Sequence, residues 1–225
     1  ARRTGETAFL RRITAKPGPL VVLDVGANEG DYASELLALA PTARIYAFEP
    51  HPRTYERLSR RAQERRFSAF NCACGSAPGR LTLYDYQDRP EGSHHASFYS
   101  GVIEQIHQGA AVPREVEVIT IDDFIERENM RHIDLLKIDT EGHEYEVLLG
   151  ARRTLVRGAI DTIHLEFNEM NVYSRVFCRD FYELLKDYDF YRMLPDGLLA
   201  LGPYWPITSE LFGYQNLVAV HRKQH

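Results

Sequence analysis

Residues 20–32 read LVVLDVGANEGDY, an apolar run that leads into a turn with two glycines. A short, continuous run of branched apolar residues is typical of a strand buried on both faces. Glycines let a turn fold tightly and let a ligand approach the backbone, and the free N–H groups at a helix start attract electronegative ligand atoms. The stretch therefore predicts a buried strand, a ligand-binding turn and a helix that begins near Asp31 and stops at Pro41.

Strands and helices alternate along the rest of the chain. Apolar residues at helical spacing predict helices around residues 52–62, 147–155 and 181–188. Strands are predicted at 44–48, 67–72, 80–86, 115–121, 133–138 and 160–167, with three more at 190–194, 198–201 and 216–220. Because alternating elements form right-handed crossovers, we predict an α/β fold with a doubly wound, Rossmann-like sheet. The sheet should be mostly parallel, with an antiparallel hairpin at one edge.

The chain is interpreted as one domain with a short lead-in. Residues 1–19 are polar and end in a Pro-Gly-Pro sequence, which predicts a short helix followed by a turn. Residues 20–225 form the single predicted domain. Residues 87–114 lack periodicity, and a loop of this length in a compact domain is usually functional or mobile. We therefore predict that this loop is a lid over a ligand site.

Composition limits the possible functions. The chain carries 27 Lys and Arg against 32 Asp and Glu, and this net charge of −5 argues against binding to nucleic acid or an anionic membrane. No apolar run approaches the roughly 18 residues that span a bilayer. Three cysteines (Cys72, Cys74 and Cys178) are too few for a disulfide framework or a zinc site. We therefore expect a cytoplasmic protein that spans no membrane and binds no nucleic acid.

Glu49 ends the second predicted strand, where a carboxylate can bind both hydroxyls of a ribose. The dinucleotide fingerprint needs three glycines, whereas the first turn has only Gly26 and Gly30. The sparse glycines and Asp24 suit a nucleoside that lacks a pyrophosphate, such as S-adenosylmethionine. An NAD-dependent oxidoreductase is the less favoured alternative. In the simplest alternative, the segment is only a tight turn between a strand and a helix, and Glu49 has no role in binding.

Four motifs occur in order along residues 17–170. They are Pro17-Gly18 followed by VVLDVGANEGDYA (21–33), IYAFEPHP (45–52), IDLLKIDTEG (133–142) with LLGA (148–151), and HLEF (164–167). In this combination the chain resembles the FkbM-type S-adenosylmethionine-dependent methyltransferases. The resemblance implies a seven-stranded sheet of the class I methyltransferase type, S-adenosylmethionine as cofactor and a small-molecule acceptor. By family analogy, the favoured reaction is O-methylation of a hydroxyl on a sugar or secondary metabolite.

The resemblance also implies which residues bind the cofactor. The methionine end would lie against the turn after the first strand, the ribose at the end of the second strand, and the adenine after the third. The residues implied are Asp24, Gly26, Ala27, Asn28 and Tyr32 for the methionine end, Glu49 and Pro50 for the ribose, and Asn71, Cys72 and Ala73 for the adenine.

The segment after the strand at 133–138 carries the candidate catalytic residues. An aliphatic hydroxyl acceptor needs a general base, and this edge of the sheet is where the acceptor should meet the methyl group. The candidates are Asp139, Glu141 and His143, and a Lys137–Asp139 ion pair is plausible beside them. In the plainer alternatives Asp139 caps the next helix, Glu141 stabilises its dipole and His143 only packs.

Alternatives remain open for the metal, the base and the function. Carboxylates after two neighbouring strands could hold Mg²⁺, a variant that we do not favour. An adjacent histidine pair in the 87–114 loop could supply the base, and aromatic residues could line the acceptor site. N-methylation and a non-catalytic S-adenosylmethionine-binding module are the alternative functions. The residues concerned are Asp139, Glu166 and Asn168 for Mg²⁺, His94, His95, Ser97, Tyr99 and His107 in the loop, and Tyr173, Phe177, Tyr204 and Trp205 for the acceptor.

Overall fold

The structure is a computed structural model that describes residues 5–87, 92–93 and 95–224. Residues 88–91 and His94 of the predicted loop lie outside the described residues, as do residues 1–4 of the predicted lead-in. The strands, numbered in chain order, are β1 (Val21–Val25), β2 (Arg44–Phe48), β3 (Ser68–Phe70), β4 (Ala73–Cys74), β5 (Gly79–Tyr86), β6 (Ala111–Ile119), β7 (Ile133–Ile138), β8 (Ile160–Phe167), β9 (Tyr188–Leu194), β10 (Gly197–Ala200) and β11 (Gln215–His221).

Helices connect most of these strands. The α-helices are α1 (Glu6–Thr14), α2 (Asp31–Leu39), α3 (Pro52–Arg65), α4 (Ile121–Arg127), α5 (Glu144–Leu149), α6 (Arg152–Val156), α7 (Asn171–Ser174), α8 (Cys178–Leu184) and α9 (Pro206–Ser209). Val102–Ile106 forms a π-helix and Arg222–Gln224 a 3-10 helix. Within the described parts of the chain, no helix is long and apolar enough to cross a bilayer.

The main sheet has the strand order β10-β9-β11-β8-β7-β1-β2-β3. Strands β3, β2, β1, β7 and β8 are parallel to one another, whereas β11 is antiparallel to β8 and β9. The antiparallel β9–β10 hairpin forms one edge. The predicted α/β class and mostly parallel sheet are therefore confirmed. The sheet has eight strands instead of the predicted seven, because both arms of the hairpin that turns at Pro195 and Asp196 join it.

A second, three-stranded sheet packs beside the main one, and the sequence did not predict it. Its order is β4-β6-β5, and β5 and β6 pair in register from Gly79↔Val118 to Tyr86↔Ala111. Strand β6 therefore begins at Ala111, inside the predicted 87–114 loop. This part of β6 is mostly exposed, so it lacks the apolar alternation by which a strand is recognised.

Strand β1 is buried on both faces, as residues 20–25 predicted. Val21, Leu23 and Val25 pack into an apolar cluster with α4 and α5, whereas Val22 packs on the opposite face with α1 and α2. Helix α1 therefore covers one face of the sheet. This sandwich places the loops after the parallel strands at one exposed edge, where doubly wound folds bind ligands.

Gly26 brings two of these loops into contact. Its φ is +75°, and a Cβ there would lie 1.8 Å from the carbonyl oxygen of Asp139. Only glycine fits this position, because an added side chain would clash with backbone that cannot move aside. The absence of a side chain at Gly26 therefore allows the turns that follow β1 and β7 to lie in contact.

Candidate active site

A cleft of about 400 Å³ opens at the carboxyl ends of the parallel strands. One set of lining residues follows four neighbouring strands, and a second set comes from β5, the loop between β5 and β6, and the segment before β11. The first set is Gly26, Asn28, Glu49, Pro50, Asp139, Thr140, Glu141, Glu166, Asn168, Glu169 and Met170, and the second is Leu83, Ser93, His95, Ala96, Phe98, His107 and Tyr214.

A buried ion cluster supports this cleft. Lys137 Nζ lies 3.3 Å from Asp24 Oδ1 and 3.2 Å from Asp139 Oδ2, and it donates a hydrogen bond to the carbonyl oxygen of Gly26 at 3.2 Å. Burial alone would lower the pKa of Lys137, but the charges of Asp139 and Asp24 raise it above its ordinary value. The expected Lys137–Asp139 pair is therefore present, and Lys137 is charged.

Asp24 lies beneath the cleft instead of lining it. Its side chain is 0% exposed, and burial raises its pKa while Lys137 opposes that rise. Tyr32 is also absent from the lining. Its ring lies 5.4 Å from Lys137 Nζ, and its hydroxyl is 3.2 Å from His164 Nδ1. Both side chains therefore contact Lys137 and do not line the cleft.

Glu49 lines the cleft with its carboxylate fixed by backbone groups. The N–H of Asn28 donates to Oε2 at 3.0 Å, and the N–H of His51 donates to Oε1 at 2.8 Å. Burial raises the pKa of Glu49 to about 7, and these two hydrogen bonds oppose the rise. Asn71 Nδ2 donates to the carbonyl oxygens of Glu49 and Pro50 at 2.8 and 3.1 Å, which fixes the turn after β2.

The remaining predicted cofactor residues are buried around the cleft. Ala27, Cys72 and Ala73 belong to apolar clusters and do not line it. Burial raises the pKa of the Cys72 thiol to about 12, so this cysteine behaves as a small apolar residue. Of the predicted cofactor residues, those that line the cleft are Gly26, Asn28, Glu49 and Pro50.

Glu141 occupies a strained turn at the cleft wall. Its φ is +54° and that of Gly142 is +102°, a region that non-glycine residues rarely adopt and that is common at functional sites. Glu144, which the sequence did not single out, stabilises the turn by accepting hydrogen bonds from the N–H groups of Thr140 and Gly142.

The Glu141 carboxylate itself is 12% exposed, and its Oε2 has no hydrogen-bond partner among the described residues. Burial, reinforced by the charge of Asp139, raises the pKa of Glu141 well above its ordinary value. A carboxylate desolvated in this way is a stronger base than one in water.

His143 points away from the cleft. Its ring packs 4.5 Å from that of Phe98, and it lines a separate hollow beside Gly75. Burial lowers the pKa of His143 to about 4, so it is neutral. The left-handed turn at Glu141 and Gly142 directs the next side chain toward the second sheet, so the structure does not bring this predicted catalytic residue to the others.

Glu166 and Asn168 lie at the end of β8, as predicted. Asn168 Nδ2 donates to Glu166 Oε2 at 3.2 Å, and burial raises the pKa of Glu166 to about 9. A divalent cation at this position would have to ionise Glu166 and compete with Lys137 for Asp139. In the described part of the chain, the His, Cys, Asp and Glu side chains that converge as a possible metal-binding trio are His132, Asp134 and Asp161, which lie outside the cleft.

The loop between β5 and β6 is anchored on both sides of the cleft. Ser93 donates to Asp85 through its N–H at 3.0 Å and its hydroxyl at 2.5 Å, and its carbonyl oxygen accepts from Asn28 Nδ2 at 3.5 Å. Ser97 donates from its hydroxyl to the carbonyl oxygen of Glu141 at 2.8 Å. The loop thus contacts both the turn after β1 and the turn after β7.

The predicted acceptor aromatics do not line the cleft. Tyr173 donates to Gln105 of the loop at 3.1 Å, Phe177 packs on Phe212, and Trp205 is exposed. Tyr214 lines the cleft instead. No periodic pattern marked Tyr214, because it lies in an irregular segment that β11 brings beside β8.

Comparisons with known proteins identify the family of the chain. The family model described as the methyltransferase FkbM domain matches residues 24–191. The 2-O-methyltransferase NoeI of Sinorhizobium fredii is 28% identical over 81% of this chain and 77% of its own length. The methyltransferase sdnD of Sordaria araneosa is 30% identical over 60% of this chain and 61% of its own. The hexuronic acid methyltransferase AglP of Haloferax volcanii is 26% identical over 60% of this chain, a match that spans only 51% of AglP.

The fold is also found among solved structures. The plantazolicin methyltransferase BpumL, solved in complex with SAH, superposes with a TM-score of 0.50 over 98% of this chain and 84% of its own, at 10% identity. This likeness concerns the fold alone. The family match covers the strands whose ends form the cleft, and the chain therefore belongs to the FkbM family of S-adenosylmethionine-dependent methyltransferases.

Proposed function

We propose that the protein methylates a hydroxyl group of a sugar or a secondary metabolite. The observation that carries this proposal is a desolvated carboxylate, Glu141, at the cleft wall, because an aliphatic hydroxyl needs a base before it can attack a methyl group. The relatives NoeI and AglP, named as a 2-O-methyltransferase and a hexuronic acid methyltransferase, support a hydroxyl acceptor of the sugar class.

The residues at the β1 and β2 ends fit S-adenosylmethionine. Glu49 presents a carboxylate whose remaining lone pairs can accept from ribose hydroxyls, since each oxygen holds only one backbone N–H. Asp139, Glu141 and Glu166 line the cleft, and a cationic ligand beside them would favour the ionised forms of Glu141 and Glu166, whose pKa values burial raises. Once bound, S-adenosylmethionine supplies a methyl group on a positively charged sulfur, which departs as a neutral thioether.

At the acceptor end, the Glu141 carboxylate supplies the negative charge that assists removal of the hydroxyl proton, and Asp139 stays paired with Lys137. The loop between β5 and β6 acts as a lid that orients the acceptor. Its anchors on Asn28 and on the Glu141 backbone span the cofactor end and the acceptor end of the cleft. Such positioning contributes a large share of the rate in bimolecular transfers.

Glu49→Gln should weaken binding of S-adenosylhomocysteine about 10- to 100-fold, because hydrogen bonds to a charged acceptor contribute about 1.5–3 kcal/mol. In the wild type, affinity should fall as the pH decreases through about 7, because protonation of Glu49 removes an acceptor. Isothermal titration calorimetry between pH 6 and 8 measures both effects. Glu64→Gln, on the exposed face of α3, is the control. An unchanged affinity in Glu49→Gln would place the ribose elsewhere.

The acceptor class is tested with isotopically labelled S-adenosylmethionine and a panel of methyl glycosides of neutral hexoses, hexuronic acids and amino sugars. We expect a product with an O-methyl group, located by tandem mass spectrometry, and equal turnover after chelation with EDTA. N-methylation of the amino sugars alone, or no transfer to any hydroxyl, would contradict the proposed function. Loss of turnover with EDTA and recovery with Mg²⁺ would restore the metal alternative.

A further inference from the structure

We propose that His95 of the β5–β6 loop is the general base of the reaction and that Glu141 is its carboxylate partner. The inference rests on the proposed O-methylation and names the atom that receives the acceptor's proton. In this arrangement the catalytic base is divided between two segments distant in sequence. One half lies on the turn after β7, and the other lies on the described part of the loop between β5 and β6, which lines the cleft.

The geometry joins these two residues. His95 Nδ1 lies 3.6 Å from Glu141 Oε1, and both residues line the cleft. The Glu141 side chain is 12% exposed and the His95 side chain 41%, so the carboxylate is the inner member and the imidazole the one nearer the cleft mouth. A base placed between an incoming hydroxyl and a desolvated carboxylate has the arrangement of an acid–histidine pair.

The surrounding contacts fix the loop so that His95 faces Glu141. The N–H of His95 donates to the Ser93 hydroxyl at 3.1 Å, and Ser93 is held by Asp85. On the other side, Ser97 donates to the carbonyl oxygen of Glu141 itself. His95 therefore lies between two anchors, one of which is the backbone of its carboxylate partner.

Among the described residues, two further titratable groups that face His95 lie on the same loop and on β5. The His107 ring stacks on His95 with centroids 4.3 Å apart, and Tyr86 meets it edge-on at 6.5 Å. A protonated His107 would oppose a positive charge on His95, whereas the Glu141 carboxylate favours it. Glu141 is thus the partner that stabilises the imidazolium formed during the reaction.

The proton transfer follows from these positions. A bound sulfonium cation favours ionised Glu141, whose Oε1 lies 3.6 Å from His95 Nδ1. This carboxylate favours the tautomer of neutral His95 that carries its proton on Nδ1, and Nε2 is then the nitrogen that receives a proton. As the acceptor's O–H proton moves to Nε2, the oxygen lone pair forms the bond to the methyl carbon. The carbon–sulfur bond breaks and its electron pair stays on sulfur, giving the thioether. The imidazolium beside ionised Glu141 then releases its proton to water.

The other candidate bases are less suitable. Asp139 is ion-paired with Lys137, and His143 lies outside the cleft. Glu166 accepts a hydrogen bond from Asn168 and lies at the end of β8, the strand next to the one that Glu141 follows. The hydroxyl therefore meets His95 and Glu141 together.

The test combines kinetics with a titration that needs no acceptor. His95→Gln should lower kcat about 10²-fold on the methyl glycosides that the wild type methylates, with unchanged affinity for S-adenosylhomocysteine. Histidine side-chain NMR, with S-adenosylhomocysteine bound, should show that Glu141→Gln lowers the pKa of His95 by about one unit or more. His132→Gln, outside the cleft, is the control, and thermal melting verifies that each variant folds.

The two proposals fail separately. If no glycoside hydroxyl is methylated by the wild type, the proposed function fails, and the NMR titration still decides whether His95 and Glu141 interact. If hydroxyls are methylated but His95→Gln keeps a kcat within about threefold of the wild type, His95 is not the base. A His95 pKa that is unchanged in Glu141→Gln also overturns the pairing.

Discussion

Glu141→Gln is expected to lower kcat by about 10²–10⁴-fold while leaving the affinity for S-adenosylhomocysteine unchanged. Glutamine has the same shape, so the turn at Gly142 and the Ser97 hydrogen bond to the Glu141 backbone are retained. The variant loses only the negative charge that stabilises a proton at the acceptor end. Steady-state kinetics on a methylated glycoside, together with calorimetry of S-adenosylhomocysteine binding, separates the chemical step from cofactor binding.

Two comparisons strengthen this experiment. Glu64→Gln makes the same chemical change on the exposed face of α3 and should leave kcat unchanged. The double variant Glu141→Gln with His95→Gln should be little slower than the slower single variant, because residues that act as a unit are not additive. A Glu141→Gln enzyme as fast as the wild type would show that the desolvated carboxylate takes no part in proton removal.

Lys137→Met is expected to reduce the free energy of unfolding by about 3–5 kcal/mol, because it leaves Asp24 buried without a counter-ion. Asp24 is 0% exposed, and Lys137 is its ion-pair partner. Since a domain has only about 5–15 kcal/mol of stability, a loss of this size should be evident as a much lower denaturation midpoint. Guanidinium denaturation followed by circular dichroism measures it.

Two further variants show whether the cause is the buried charge. Adding Asp24→Asn to Lys137→Met should restore much of the lost stability, because the neutral amide removes the unpaired carboxylate. Lys16→Met breaks the pair that Lys16 makes with Asp161, but Lys16 is more than one-third exposed, and its loss should cost about 1 kcal/mol or less. Equal costs for Lys16→Met and Lys137→Met would show that burial adds nothing to the Lys137 cluster.

Periodicity and motif spacing predicted the parts of the molecule that depend on local sequence. The apolar run at residues 20–23, the carboxylate that follows β2 and the Lys137–Asp139 pair all follow from residues close together in the chain. Strand ends could be predicted because parallel strands end at one edge of the sheet. The direction in which side chains point just past those ends could not be predicted.

Three residues illustrate the reason. The sequence predicts that Asp24 lines the cleft, but Asp24 lies within strand β1, one residue before its end, and is paired with Lys137 of another strand. His143 follows two residues with positive φ, and no spacing rule gives the direction of a side chain after such a reversal. Tyr214 reaches the cleft from an irregular segment that is positioned only by β11 pairing with β8. Each placement depends on contacts between segments far apart in sequence.

The hydrogen bond from Ser97 to the Glu141 backbone has a consequence for how such enzymes diversify. A loop that only selected the acceptor could be exchanged between relatives, and the chemistry would carry over unchanged. Here the described part of the loop also carries His95 and fixes the turn that presents Glu141. New acceptor preferences should therefore arise by substitutions between these anchor points. A loop grafted into this protein from a relative should lose turnover unless it carries a serine and a histidine at the positions of Ser97 and His95.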